Sequence, residues 1–203
     1  MKKVLKNAII LAVIVLAILG VYFGSIRAFI KGKRYIEALG RRGQIESTEE
    51  FRENWKYALD YRAPISDDEI IKFLSGDIVN MASAGEQPEE VMMSLISFIE
   101  EYIDQNDVLH ILNIGRTYHF MWVNYEHKEE YYIKAEEYYE KVLEIGPKLP
   151  PALYGILDLY RVKGDAKNAK KYGEMAFELW PQDERLKEIL EKIEEIEASA
   201  QAQ

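Results

Sequence analysis

The sequence predicts an all-α protein: one N-terminal transmembrane helix, then an α-solenoid of helix hairpins closed by a C-terminal capping helix. Three observations carry this reading. Nineteen residues from Ala8 to Ile26 hold no charge. After them, apolar residues recur at spacings of three and four, and nowhere alternate as a half-buried strand requires. Towards the C-terminus the pattern repeats itself after 34 residues. The 203 residues include 14 Tyr and no Cys, so the chain has the aromatic content of an ordered protein and none of the means for disulfides, thiolate zinc sites or a cysteine nucleophile.

Residues 1–26 are the basic flank and the anchor. At ~1.5 Å per residue, the apolar run nearly matches a ~30 Å hydrocarbon core. It exceeds the ~7–15 residues of a cleaved signal's apolar core, and no A-x-A site follows it, which favours an uncleaved anchor. Tyr22 and Phe23 stand where an interfacial aromatic belt would place them. Gly20 and Gly24 have the G-x-x-x-G spacing at which two such anchors can pack as a homodimer.

Charge is divided along the chain. Residues 1–42 carry nine Lys or Arg against the single acid Glu37, whereas the remainder holds 17 basic and 34 acidic residues. A basic end suits an anionic membrane surface, and an acidic body repels nucleic acid. Arg27, Lys31, Arg34 and Arg41 fall on one helical face, as in a basic helix lying on the bilayer. With those cations held at the interface, and three lysines resisting export of the N-terminus, the body is expected outside the cytoplasm.

Residues 27–105 read as divergent hairpins. Helices are expected over 27–42 and 48–62, the second lined by Phe51, Trp55, Ala58 and Leu59. Ser66 and Glu69 form an S-x-x-E capping box opening a helix to about Ala84. Pro88 stands in the first turn of the next, whose buried stripe runs from Val91 through Leu95 and Ile99 to Ile103.

Residues 106–198 read as two clearer repeats plus a cap. A 34-residue shift superposes Ala135 on Ala169, Tyr138 on Tyr172, Val142 on Ala176 and Pro147 on Pro181. Tyr160, the Gly164-Asp165 turn, Ala169, Ala176 and Pro181 resemble the tetratricopeptide repeat, with Tyr125, Ala135, Tyr139, Val142 and Pro147 in the unit before. Gly173 departs from that pattern, which has an aromatic there; Tyr172 or Phe177 is expected to fill the space. Asp183 caps a final amphipathic helix, and residues 199–203 are expected to be disordered.

The span, Arg42-Gly43 followed by Phe51, Trp55 and Ala58-Leu59, and the blocks ending in Pro147 and Pro181 also resemble the C-terminal repeat tail of O-antigen ligase and polymerase-type membrane proteins. That resemblance implies an extracytoplasmic location and a relative, without the spans and loops that carry the transferase chemistry.

No catalytic constellation is visible. His110, His119 and His127 lack zinc-helix spacing, no phosphate loop, G-x-S-x-G or H-E-x-x-H occurs, and acidic pairs such as Glu100-Glu101 and Glu136-Glu137 read as solvated helix faces. The expectation is a non-enzymatic protein without metal or cofactor. In tetratricopeptide arrays the first helix of each unit lines a concave groove, which implies Arg116, His119, Val123 and Glu126, then Tyr154, Asp158 and Arg161, as the surface offered to a protein or peptide. The function expected is a membrane-anchored scaffold in cell-envelope or surface-glycan assembly; the alternative is a detached tail acting in trans with a glycan ligase or polymerase.

Overall fold

The computed structural model describes residues 2–63 and 67–201, and every regular element among them is helical. The α-helices are α1 (Lys2–Val21), α2 (Arg27–Arg41), α3 (Thr48–Leu59), α4 (Asp67–Ala84), α5 (Glu89–Glu100), α6 (Val108–Asn124), α7 (Glu129–Ile145), α8 (Pro150–Lys163), α9 (Ala166–Leu179) and α10 (Glu184–Gln201). Compactness divides the chain inside α4, after Phe73, so the stretch 27–105 is shared between two units.

In the first unit, a π-turn over Tyr22–Ile26 joins α1 to α2, giving one helix from Lys3 to Gln44 that is long and apolar enough to cross a membrane. The side chains of α1 from Lys3 to Val21 are exposed. Space around Gly20 and Gly24 is open. Gly24 lies within the π-turn, one turn beyond Gly20 near the end of α1.

The basic face of α2 does not lie free for a bilayer; it packs on the α3 hairpin arm. Lys31 is fully buried and its Nζ donates to the Leu59 carbonyl at 3.1 Å. Arg34 donates to the Tyr57 carbonyl at 3.1 Å, and its guanidinium lies 4.3 Å from the Tyr61 ring centroid. Arg27 stacks near Phe23 and Tyr61, and Arg41 near Tyr57. The physical reason is that long basic side chains bury their stems and set guanidinium planes on aromatic faces, which α3 and Tyr61 supply. Between the helices, Ala38 and Ala58 permit close approach around Trp55 and Leu59. Ser47 caps α3, accepting from the Glu50 N–H at 3.2 Å, while the Glu50 carboxylate accepts from the Glu46 N–H at 2.9 Å. Ser66, half of the expected capping box, lies outside the described residues.

The second unit begins at Leu74. Leu74, Ile78, Val79 and Ala82 of α4 are buried, and α6 is tied to α4 by Asn113 donating to Ser75 Oγ (2.9 Å) and Asn124 donating to the Ala82 carbonyl (2.8 Å). Pro88 is the residue just before α5, and Asp107 caps α6 by accepting from the Leu109 and His110 N–H groups. From α6 to α10, each helix packs on the next in sequence. Ala135, Ala152, Ala169 and Ala176 are fully buried in this stack. A line of rings, Trp122, Tyr132, Tyr160 and Tyr172, connects α6 through α9 at centroid separations of 5.5, 6.4 and 5.6 Å.

Tyrosine hydroxyls staple these helices to carboxylates. Glu100 accepts from Tyr118 and Tyr138 (3.2 and 2.9 Å), Glu136 from Tyr132 and Tyr160 (3.1 and 2.5 Å), and Glu89 from Tyr131 and Lys128. Glu100 and Glu136 are therefore hydrogen-bond acceptors between elements and not members of a purely solvated face. At Gly173 the space is filled by Leu190 of α10, whose Cδ2 comes within 2.6 Å of a Cβ built there; Tyr172 stacks on Tyr160 instead. The terminal helix α10 runs through Gln201, so part of the expected tail is helical.

The α8–α9 turn shows how local chemistry sets this stack. Gly164 adopts φ +84°, a left-handed conformation that ends α8, and the Asp165 N–H donates back to the Tyr160 carbonyl at 3.0 Å. The Asp165 carboxylate then accepts from the Asn168 N–H at 3.0 Å, capping α9. Asp165→Ala is expected to cost about 1 kcal/mol, read as a drop in melting temperature of about 2–4 °C.

Candidate functional site

A cavity of about 720 Å³ opens on the second unit. Helical spacing builds its walls: Arg116, His119 and Phe120 project from one face of α6, Tyr154, Asp158 and Arg161 from one face of α8, and Arg185 and Ile189 from one face of α10. Tyr139 of α7 reaches the floor, beside Gly155.

Five of the residues read from the sequence, Arg116, His119, Tyr154, Asp158 and Arg161, meet here; Val123 and Glu126 do not line the cavity. The helix α6 ends at Asn124, and Glu126 follows it with φ +55°, off the helical face. Val123 lies a turn beyond His119 and is partly exposed. The contributions of Tyr139, Arg185 and Ile189 come from elements that the sequence marked only as packing and capping.

At the floor, His119 is 6% exposed. Its Nδ1 is hydrogen-bonded with the Tyr139 hydroxyl at 3.3 Å, and its Nε2 lies 3.8 Å from Asp158 Oδ2. Asp158 is held by Arg161, whose Nη2 and Nε donate to Oδ1 at 2.5 and 3.0 Å. On one wall the Tyr154 hydroxyl donates to Asp183, and burial, together with that carboxylate, pushes the phenol up to about 12. Arg116 is exposed and makes no ion pair or hydrogen bond among the described residues. No cluster of three His, Asp or Glu suited to a metal ion occurs among the described residues.

Burial lowers the His119 pKa below its ordinary 6.5, outweighing the pull of Asp158 and reinforced by Arg161. The folded state therefore binds this proton less readily than the unfolded chain. Above pH 6.5 His119 contributes no pH dependence; as pH falls through 6.5, the unfolded chain gains the proton first and stability declines until the folded pKa is passed. The melting temperature is expected to fall as pH drops through about 6.5, above the ordinary carboxylate range. His119→Gln should flatten that slope, measured by thermal denaturation at a series of pH values.

No protein-family model matches the chain. No curated protein matches it either, so its functional reading starts from this groove and the long N-terminal helix.

Proposed function

We propose that this chain is a membrane-anchored, tetratricopeptide-like scaffold that presents the α6–α8–α10 groove to a partner protein in cell-envelope or surface-glycan assembly. The observation that carries the reading is that the first helices of the two repeat-like pairs, α6 and α8, both line one cavity, as the resemblance implies for a concave ligand surface. Neighbour-on-neighbour packing from α6 to α10 is compatible with a short solenoid, and the exposed apolar α1 with a single bilayer span contacting lipid. The continuous helix of 42 residues, about 63 Å at ~1.5 Å per residue, is longer than a ~30 Å hydrocarbon core. Its C-terminal part then stands beyond the bilayer. A homodimer through Gly20 and Gly24 belongs to the same proposal.

The body is proposed to lie outside the cytoplasm. The basic face of α2 is engaged by Tyr57, the Leu59 carbonyl and Tyr61, so this orientation leans on the three lysines ahead of the span and on the family resemblance. Fractionation should find the chain in membranes resistant to alkaline extraction. Fusions after Gln203 should be active with alkaline phosphatase and dark with a cytoplasm-restricted fluorescent protein. The opposite pair of results reverses the orientation. Capture of a membrane-extract partner by the full chain, lost in a Tyr154→Ala variant that melts normally, supports the scaffold reading; no partner above background refutes it.

A further inference from the structure

Residues 74–203 contain three arginines and ten lysines among 26 acidic residues. All three arginines, Arg116, Arg161 and Arg185, line the one groove, and none of the ten lysines does. Guanidinium and ammonium are not equivalent: the planar fork pairs bidentately with carboxylates and stacks on rings, whereas lysine acts as a hydrated point charge. The segregation therefore concentrates fork-type donors at one place on a surface that is otherwise strongly acidic.

Resting on the scaffold reading, we infer that the groove takes a short acidic segment of its partner protein, with carboxylates on Arg116 and Arg185 and an apolar side chain between them against Tyr154 and Phe120. Arg161 is already committed to Asp158, which leaves Arg116, without an ion pair among the described residues, and Arg185 to face the ligand. Asp158 is the one carboxylate among the lining residues, and Asp183, engaged by the Tyr154 hydroxyl, stands near Arg185, so three cations face two anions and the groove keeps a net positive charge. Phe120, Pro151, Leu157 and Ile189 supply apolar wall, which a bare anion leaves unused and a peptide alternating acidic with apolar residues covers. The segment is short for an electrostatic reason. A long polyanion, nucleic acid or acidic glycan, would run from the groove onto the surrounding Asp and Glu and be repelled. The cavity volume lies within the ~300–1,000 Å³ typical of specific sites.

The test uses the full chain in lipid nanodiscs and three immobilised heptapeptide mixtures with apolar residues at alternate places. The other places hold Asp or Glu, their amides Asn or Gln, or phosphoserine. The acidic mixture should be retained about tenfold better than the amide mixture, and Arg116→Gln or Arg185→Gln should each weaken retention about tenfold while Lys192→Gln leaves it unchanged. Retention should also fall as salt rises towards about 0.5 M. All variants are first shown to melt as the parent does. Equal retention of acidic and amide mixtures overturns the acidic class while leaving a protein-binding groove standing. Preference for phosphoserine over Asp and Glu also overturns it and assigns the forks to phosphate. No retention of any mixture, together with membrane-extract capture that Tyr154→Ala leaves intact, overturns both readings.

Discussion

Gly155→Ala is expected to destabilise the protein by about 1–3 kcal/mol, against the usual sign for a glycine in a helix interior. In an unobstructed helix this exchange gains roughly 0.5–1 kcal/mol, because glycine has the larger conformational entropy to lose. At Gly155, however, an added Cβ falls 2.5 Å from Cε1 and 2.6 Å from Cζ of Tyr139. That ring is 1% exposed and its hydroxyl is engaged by His119, so it has nowhere to withdraw without disturbing the groove floor. Overpacking therefore outweighs helix propensity. Two comparisons isolate the cause. Gly76→Ala in α4, where nothing lies within 4 Å of the new Cβ, should raise stability by roughly 0.5–1 kcal/mol. In a Tyr139→Leu background, Gly155→Ala should lose most of its penalty, a coupling that a double-mutant cycle of thermal or urea denaturation would measure. A stabilising Gly155→Ala in the parent chain would show that α8 and the Tyr139 ring do not approach so closely.

The helices themselves were legible because a buried stripe at three- and four-residue spacing leaves the same signature wherever it is buried. What covers a stripe was not legible. Arg27, Lys31, Arg34 and Arg41 share one face of α2, and sequence alone does not distinguish a face laid on anionic headgroups from one laid on tyrosines. Their partners Tyr57, Tyr61 and the Leu59 carbonyl lie more than fifteen residues away. Caps behaved similarly. The S-x-x-E pattern of Ser66 also occurs at Ser47, where Ser47 Oγ accepts from the Glu50 N–H and the Glu50 carboxylate accepts from the Glu46 N–H, one residue ahead of the cap. The Tyr–Glu staples were hidden because Glu100 and Glu136 sit in paired acids that look solvated; only Tyr132 is local to its acceptor, and the hydroxyls of Tyr118, Tyr138 and Tyr160 arrive only when separate helices pack.

The groove was partly legible for the same reason. Tyr154, Asp158 and Arg161 follow helical spacing on α8, as Arg116 and His119 do on α6, so one wall each could be read from local pattern. Arg185 could not, since its helix reads only as an amphipathic cap and its place in the cavity depends on packing between α9 and α10. The available sequence signal was compositional: three arginines in a segment that otherwise uses lysine.

Trp55→Ala is expected to cost about 3–5 kcal/mol, while Trp55→Phe stays within about 1 kcal/mol of the parent. Trp55 is 1% exposed, with Tyr35 and Phe51 rings 5.9 and 6.1 Å from its own, so truncation to alanine leaves a large void between α2 and α3. Its indole Nε1 is buried and has no hydrogen-bond partner among the described residues. Phenylalanine removes that orphan donor, worth about 1–3 kcal/mol, and this offsets the packing lost with the smaller ring. Limited trypsin digestion provides a local readout, because Lys31, Arg34 and Arg41 are shielded or stacked only while α3 stays docked. In the alanine variant, cleavage after these three residues should rise by roughly the population of undocked α3, about tenfold for each 1.4 kcal/mol lost. The phenylalanine variant should digest at the parental rate. If phenylalanine is as damaging as alanine, the indole N–H has an acceptor, and the void and the lost hydrogen bond act together; if alanine leaves the sites protected, α3 is held to α2 by its cation–ring contacts and not by Trp55.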